Sequence, residues 1–313
     1  MEVLFESAGP GVHCYSPFLK SQSKNITFSL EELCKNVILK CITLRRLATC
    51  VMELPLPKRL AQYITELTTM DFEQIECAPF CDIFSLNFFH RALTYRVMCL
   101  RDGQEYMISY GYSPVEDLKL IYSHEKWVQA QHKNIMCICA TVKDLTTENV
   151  FYVYDQPYAS LEQLWNVFCN RNQMIPDIFF IRLTTDVCEA LRYILLQGLR
   201  YNCFGLDNIF VVHDRLVIEN GLMRKKTIFL VNDNKRTCSE ELNMIHDLSS
   251  VLKQLLESSN SKISQTNILK NILDALENHE TISGVLQTMN SFETETNSFS
   301  FWQLTRSLLG SDY

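Results

Sequence analysis

The chain has 313 residues, 47% of them hydrophobic and 21% charged, which excludes a disordered or low-complexity polymer. A net charge of −7 with no basic stripe excludes nucleic acid as a partner, because phosphate neutralisation needs clustered Lys and Arg. The acidic start MEVLFESAGPG lacks the basic region of a signal peptide and no later apolar run reaches spanning length, so a cytoplasmic or nuclear chain with no membrane contact is expected.

The first element is a helix. In Phe28-Ser29-Leu30-Glu31-Glu32-Leu33, Ser29 can cap, Glu32 completes a capping box and Phe28 can staple onto Leu33, so the helix begins at Leu30. Leu30, Leu33, Cys34, Val37, Ile38 and Cys41 then recur at helical spacing, with Glu31, Lys35, Asn36 and Lys40 mostly opposite. So short a helix does not hold itself together in water, and its apolar face needs a cover. Pro55 and Pro57 next rule out helix or central strand from Leu54 to Pro57 and present Leu54 and Leu56 on a stiff extended segment. A helix restarts at about Lys58, with Leu60, Tyr63, Ile64 and Leu67 on one face. The predicted module is helix, connector, rigid elbow, helix.

That order and those residues resemble the SOCS box, by which substrate receptors join cullin-RING ubiquitin ligases. The elongin-binding pattern of the family falls on Ser29, Leu30, Cys34 and Ile38, and its cullin-binding LPxP pattern on Leu54, Pro55, Leu56 and Pro57. The resemblance covers residues 27 to 67 and implies elongin contacts through Leu30, Leu33, Cys34, Val37 and Ile38. It further implies elongin C and elongin B as partners and cullin-5 with its RING subunit as the scaffold. In most members this module closes the chain; here it precedes the larger part.

Beyond Thr69 strands are expected. Thr94–Leu100 and Glu105–Tyr110 flank Arg101-Asp102-Gly103-Gln104, a hairpin turn, and Ser113-Pro114-Val115-Glu116 opens a helix. Strands over Asn134–Val142 and Asn149–Tyr154 precede a long helix from Asp177 to Leu199, with Phe180, Leu183, Val187, Leu191 and Ile194 on one face. Short strands over Asn208–Val212 and Arg215–Glu219 come next, then helices from about Glu240. Thirteen cysteines without framework spacing are expected as buried thiols of a reducing compartment. Neither Cys137 with Cys139 nor Cys77 with Cys81 has a second pair or a histidine at ligand spacing, so no metal and no cofactor is expected.

This order of elements is that of a protein kinase, and LLQGLRYNCFGLDNIFVVHDRLVIENG (195–221) resembles the kinase catalytic loop with the strand pair after it. The resemblance implies a two-lobed kinase-like fold with its chemistry removed. Cys203 takes the place of the catalytic Asp and Gly205 that of the Lys after it. Asn220 falls at about the metal-binding Asp, and Ser109 takes the place of the strand Lys that grips the phosphates. The phosphate-covering loop falls on Asn87 to Ala92, and Asn208 alone of the metal ligands is retained. Losing these groups together abolishes phosphoryl transfer, which works by positioning phosphates and metal electrostatically.

The expected fold class is therefore α+β: an N-terminal segment (1–26), a helical SOCS-box module (27–68) and a kinase-like, catalytically dead domain (72–313). The expected function is a substrate receptor for an unknown protein, and not an enzyme. The competing reading is an atypical kinase that uses Glu125 or Glu219 for the lost carboxylates, or a pseudokinase scaffold outside any ligase.

Overall fold

Residues 29–42, 44–75, 94–111, 118–144, 149–171, 175–199, 201, 205–223, 240–258, 267–292 and 300–309 are described by the computed structural model. Helices α1 (Leu30–Cys41), α2 (Leu44–Glu53) and α3 (Lys58–Thr65) come first. The first starts where the capping pattern places it, and α3 starts directly after Pro57, which caps it with φ −55° and ψ 140°. The expected connector is itself a helix. No proline or glycine separates Cys41 from Leu44, so the chain carries no punctuation there, yet Leu44, Leu47 and Val51 keep helical spacing and all three are buried.

A six-stranded sheet comes next, built from β1 (Leu67–Thr68), β2 (Phe72–Gln74), β3 (Thr94–Cys99), β4 (Glu105–Gly111), β5 (Ile138–Lys143) and β6 (Val150–Asp155) in the order β1-β5-β6-β4-β3-β2. Its pairs are antiparallel except β1 with β5, where Leu67 lies opposite Val142. The β3–β4 hairpin turns at the expected Asp-Gly, with Gly103 at φ +69°, a conformation that costs glycine little. A second sheet joins β7 (Ala159–Ser160), β8 (Ile209–Val212) and β9 (Arg215–Ile218) in that order, all antiparallel.

The period of two along β4 and β6 explains the layering. Tyr106, Ile108, Phe151 and Val153 face the core that Leu44, Leu47, Val51, Ala61 and Ile64 enter from α2 and α3. Met107, Tyr152 and Tyr154 face the other way and meet Phe210, Val212 and Val217 of the second sheet. The N-terminal helices are thus the outer layer of the first sheet and share its core.

The remaining helices are α4 (Leu118–Gln129), α5 (Leu161–Arg171), α6 (Asp177–Leu196), α7 (Glu240–Ser258), α8 (Asn267–Asn278), α9 (Ile282–Asn290) and α10 (Phe301–Leu309). The expected stripe of Phe180, Leu183, Val187, Leu191 and Ile194 on α6 is buried throughout. The helix ends at Leu196 rather than Leu199, and Gly198 at φ +61° lies just beyond it. Among the described residues no disulfide forms. Cys99 and Cys188 are buried as expected, but Cys34 and Cys41 are exposed, because they lie on the outward side of α1. Cys77, Cys81, the cap at Ser113 and the staple at Phe28 lie outside the described residues. No described helix is long and apolar enough to cross a membrane.

Candidate protein-interaction site

The apolar stripe of α1 faces outward. Leu30 is 76% exposed, Val37 64% and Leu33 48%, and Cys34 and Cys41 are exposed beside them. The helix docks by a side that combines Lys35, which the sequence pattern assigns to solvent and which is buried, with Ile38 and Ile42, which pack partly against the core shared by α2, α3 and the sheet. Positions 35, 38 and 42 form a second, narrower stripe at i, i+3 and i+7. Ile38, expected on the same surface as Leu30, is therefore half-buried at the edge between the two stripes.

The docked side is held by a polar anchor. Lys35 Nζ donates to the Glu66 carbonyl at 2.6 Å and stands over the Tyr63 ring, 4.7 Å from its centroid. Glu66 is the C-cap of α3, so the lysine satisfies a carbonyl left open at a helix end and meets the negative end of the helix dipole. The spacing of Leu30, Cys34 and Ile38 contains no hint of this contact.

A second anchor comes from the β3–β4 hairpin. Asp102 Oδ2 accepts from the Leu44 backbone N–H at 3.3 Å, at the start of α2, and from the Tyr106 hydroxyl at 2.7 Å, while Oδ1 accepts from Gln104 N at 3.0 Å. Burial, and next the Asp102 carboxylate, push the nearby Cys99 thiol up to about 12, so it stays protonated.

The elbow between α2 and α3 presents different atoms from those expected. Pro55 and Pro57 are exposed, whereas Leu54 is half-buried and Leu56 packs partly on the core below α3. Leu56 N donates to the Leu54 carbonyl at 2.7 Å, which tightens the segment and turns Leu56 inward. The rigid surface left outside is the pair of proline rings.

Residues 27–65 match the family model of the SOCS box. The match ends at Thr65, the last residue of α3, and takes in all three helices and both motifs. A SOCS box implies a substrate-receptor role in elongin B/C–cullin ubiquitin ligases, an adaptor's task and not catalysis by itself. Comparison with curated proteins finds no match for the chain.

Later in the chain, the segment likened to a catalytic loop forms a hydrogen-bonded set. Asn208 Oδ1 accepts from Gly205 N at 2.8 Å and its Nδ2 donates to Glu219 Oε2 at 2.7 Å, while Glu219 N donates back to the Asn208 carbonyl at 2.8 Å. Asn220, expected at a metal-binding position, points elsewhere. It is fully buried and donates through Nδ2 to the carbonyls of Met136 at 3.1 Å and Trp127 at 3.4 Å. Glu219, directly after β9, is the carboxylate that meets Asn208, and Glu125 is exposed on α4. Next to Asn220, a Cβ on Gly221 would stand 2.5 Å from the Trp127 ring, so only glycine fits there. Ser109 is buried on β4 opposite Tyr152 and Thr94. Cys203 and Asn87 to Ala92 lie outside the described residues, and among the described ones no three His, Cys, Asp or Glu come together as metal ligands.

Proposed function

We propose that this protein is a substrate receptor of a cullin-RING ubiquitin ligase. In this reading α1 recruits elongin C, and with it elongin B, through Leu30, Leu33, Cys34, Val37 and Ile38. Leu54 to Pro57 contact cullin-5, which brings its RING subunit. Residues 72–313 act as a kinase-like domain without catalytic machinery and hold the protein to be ubiquitinated, in the cytoplasm or nucleus. The observation that carries the reading is that, within the matched segment, a helix docked through Lys35 and Ile38 leaves Leu30, Leu33 and Val37 in solvent.

Leu30 is the most exposed of the three, and its burial in a partner's pocket contributes roughly 1.5–3 kcal/mol. Support for the kinase-like part is the run of elements from the β3–β4 hairpin through α4, β5, β6 and the long α6 to the β8–β9 hairpin, the order expected of that family. Support for its inactivity is that Ser109 and Gly205 stand where the family has lysines, and that both ends of the Asn208 amide are engaged within the protein.

Pull-down with elongin B/C tests the proposal. The Leu30→Ala, Cys34→Ala double variant should lose elongin recovery while retaining the melting temperature of the unmodified chain, because neither side chain lies in a core. Equal recovery of the two proteins would remove the ligase reading.

A further inference from the structure

We propose that Lys35 is a positioning residue, which holds α1 in the orientation that presents Leu30, Leu33 and Val37; this rests on the elongin reading above. Lys35 lies on the docked side of α1, away from the outward stripe, and among the described residues it is the only buried lysine. An ammonium group taken out of water is costly unless its donors are used and its charge is met. Here one acceptor is the Glu66 carbonyl at the C-terminal end of α3, and the Tyr63 ring covers the charge. Both partners lie on α3 or at its cap, so a single side chain ties the recognition helix to a neighbour 31 residues away in sequence.

The tie carries weight because the apolar contact beside it, among the described side chains, is small. α1 has 12 residues, too few to be stable alone in water, and among its described side chains the inward apolar contribution is Ile38 with the following Ile42, neither of them fully buried. Leu30, Leu33 and Val37 point away. Whatever fraction of chains holds α1 docked and helical is the fraction competent to bind, and the apparent affinity scales with it. Removing the lysine's charge lowers that fraction without touching the recognition surface. Arginine at the same position retains the charge and reaches a single carbonyl, so it should restore docking.

The experiment uses the full-length chain and purified elongin B/C, with affinity measured by calorimetry and α1 amide exchange measured in the free chain. Lys35→Met should weaken elongin binding about tenfold and speed exchange in α1 while α2 and α3 stay protected, and Lys35→Arg should recover most of both. Leu30→Ala serves as the separate check on the elongin reading: it should lose binding with α1 exchange unchanged. If Leu30→Ala binds like the unmodified chain, the elongin reading fails, and α1 exchange in Lys35→Met still decides whether the lysine positions the helix. Unchanged affinity and unchanged α1 exchange in Lys35→Met overturn the proposal. Should Lys35→Met fail to fold, Tyr63→Leu removes the ring from under the charge and leaves the ammonium's hydrogen bond. It should shift both readouts in the same direction by a smaller factor, and no shift in either overturns the proposal.

Discussion

Asp102 is one carboxylate doing two jobs. It closes the turn of its own hairpin through Gln104 and Tyr106, and it receives an open N–H at the start of α2. Asp102→Ala should therefore destabilise the protein by about 1–2 kcal/mol, the size of a lost helix cap with its hydrogen bonds, as read from the midpoint of urea unfolding. A substitution at exposed Glu125 should shift that midpoint hardly at all. Histidines set a second residue-scale effect. Burial holds His124, which shares a 2.6 Å hydrogen bond with the Tyr152 hydroxyl, below the ordinary histidine range. Burial does the same to His132, whose Nδ1 accepts from Asn134 N at 3.2 Å and must be unprotonated to do so. Groups whose pKa is lower in the folded than in the unfolded chain contribute stability above the unfolded value, and that contribution is lost as pH falls below it. Thermal stability should accordingly drop from pH 7 toward pH 5.5, and the His124→Gln, His132→Gln double variant should show a flatter profile over that range. Equal slopes for the two proteins would show that neither ring controls it.

At the scale of elements, the outer helical layer is held by apolar side chains on α2 and α3, with α1 added through Lys35, Ile38 and the following Ile42. Ile64 is fully buried among Leu44, Val51, Val142 and Val153, and Ile64→Ala should cost about 2–5 kcal/mol, measured by denaturant unfolding of the whole chain. A loss confined to the helical layer, with the sheet's transition unmoved, would contradict the shared core. The contrast between what is readable in the sequence and what is not lies in the range of the interactions. Leu30 and Lys58 as helix starts, the Asp-Gly turn and the buried stripe of α6 are local patterns, and each stands where capping, turn chemistry or periodicity places it. The outward stripe of α1 is legible as a stripe. Its orientation is not, because Lys35 meets Glu66 across 31 residues and Asp102 meets Leu44 across 58. The same limit explains Asn220: a linear alignment of the loop places it at a ligand position, whereas the chain turns after β9 so that Glu219 meets Asn208 and Asn220 faces inward. Finally, α2 carries no local mark, because a helix with no breaker before it resembles a connector.

For the whole molecule, the layering places the exposed stripe of α1 on the helical layer that covers one face of the six-stranded sheet. Leu30, Leu33 and Val37 lie within two turns of one helix, and Cys34 and Cys41 extend the same edge, so the apolar surface is contiguous rather than scattered. Contiguous apolar surface of this kind is stable in water only when it is covered, and in the free chain the readiest cover is the same edge of a second copy. The purified chain alone should therefore associate as its concentration rises, seen as a growing weight-average mass in sedimentation equilibrium. An equimolar amount of elongin B/C should suppress the association by covering the edge, and so should Leu33→Gln with Val37→Gln, which removes apolar area without entering any core. The two treatments separate the causes: if the glutamine variant stays associated, another surface is responsible, such as the exposed Leu256 or Trp302. If the unmodified chain remains monomeric over the whole concentration range, the edge is not sticky enough to need a partner, and the account of α1 as a recognition helix loses its physical basis.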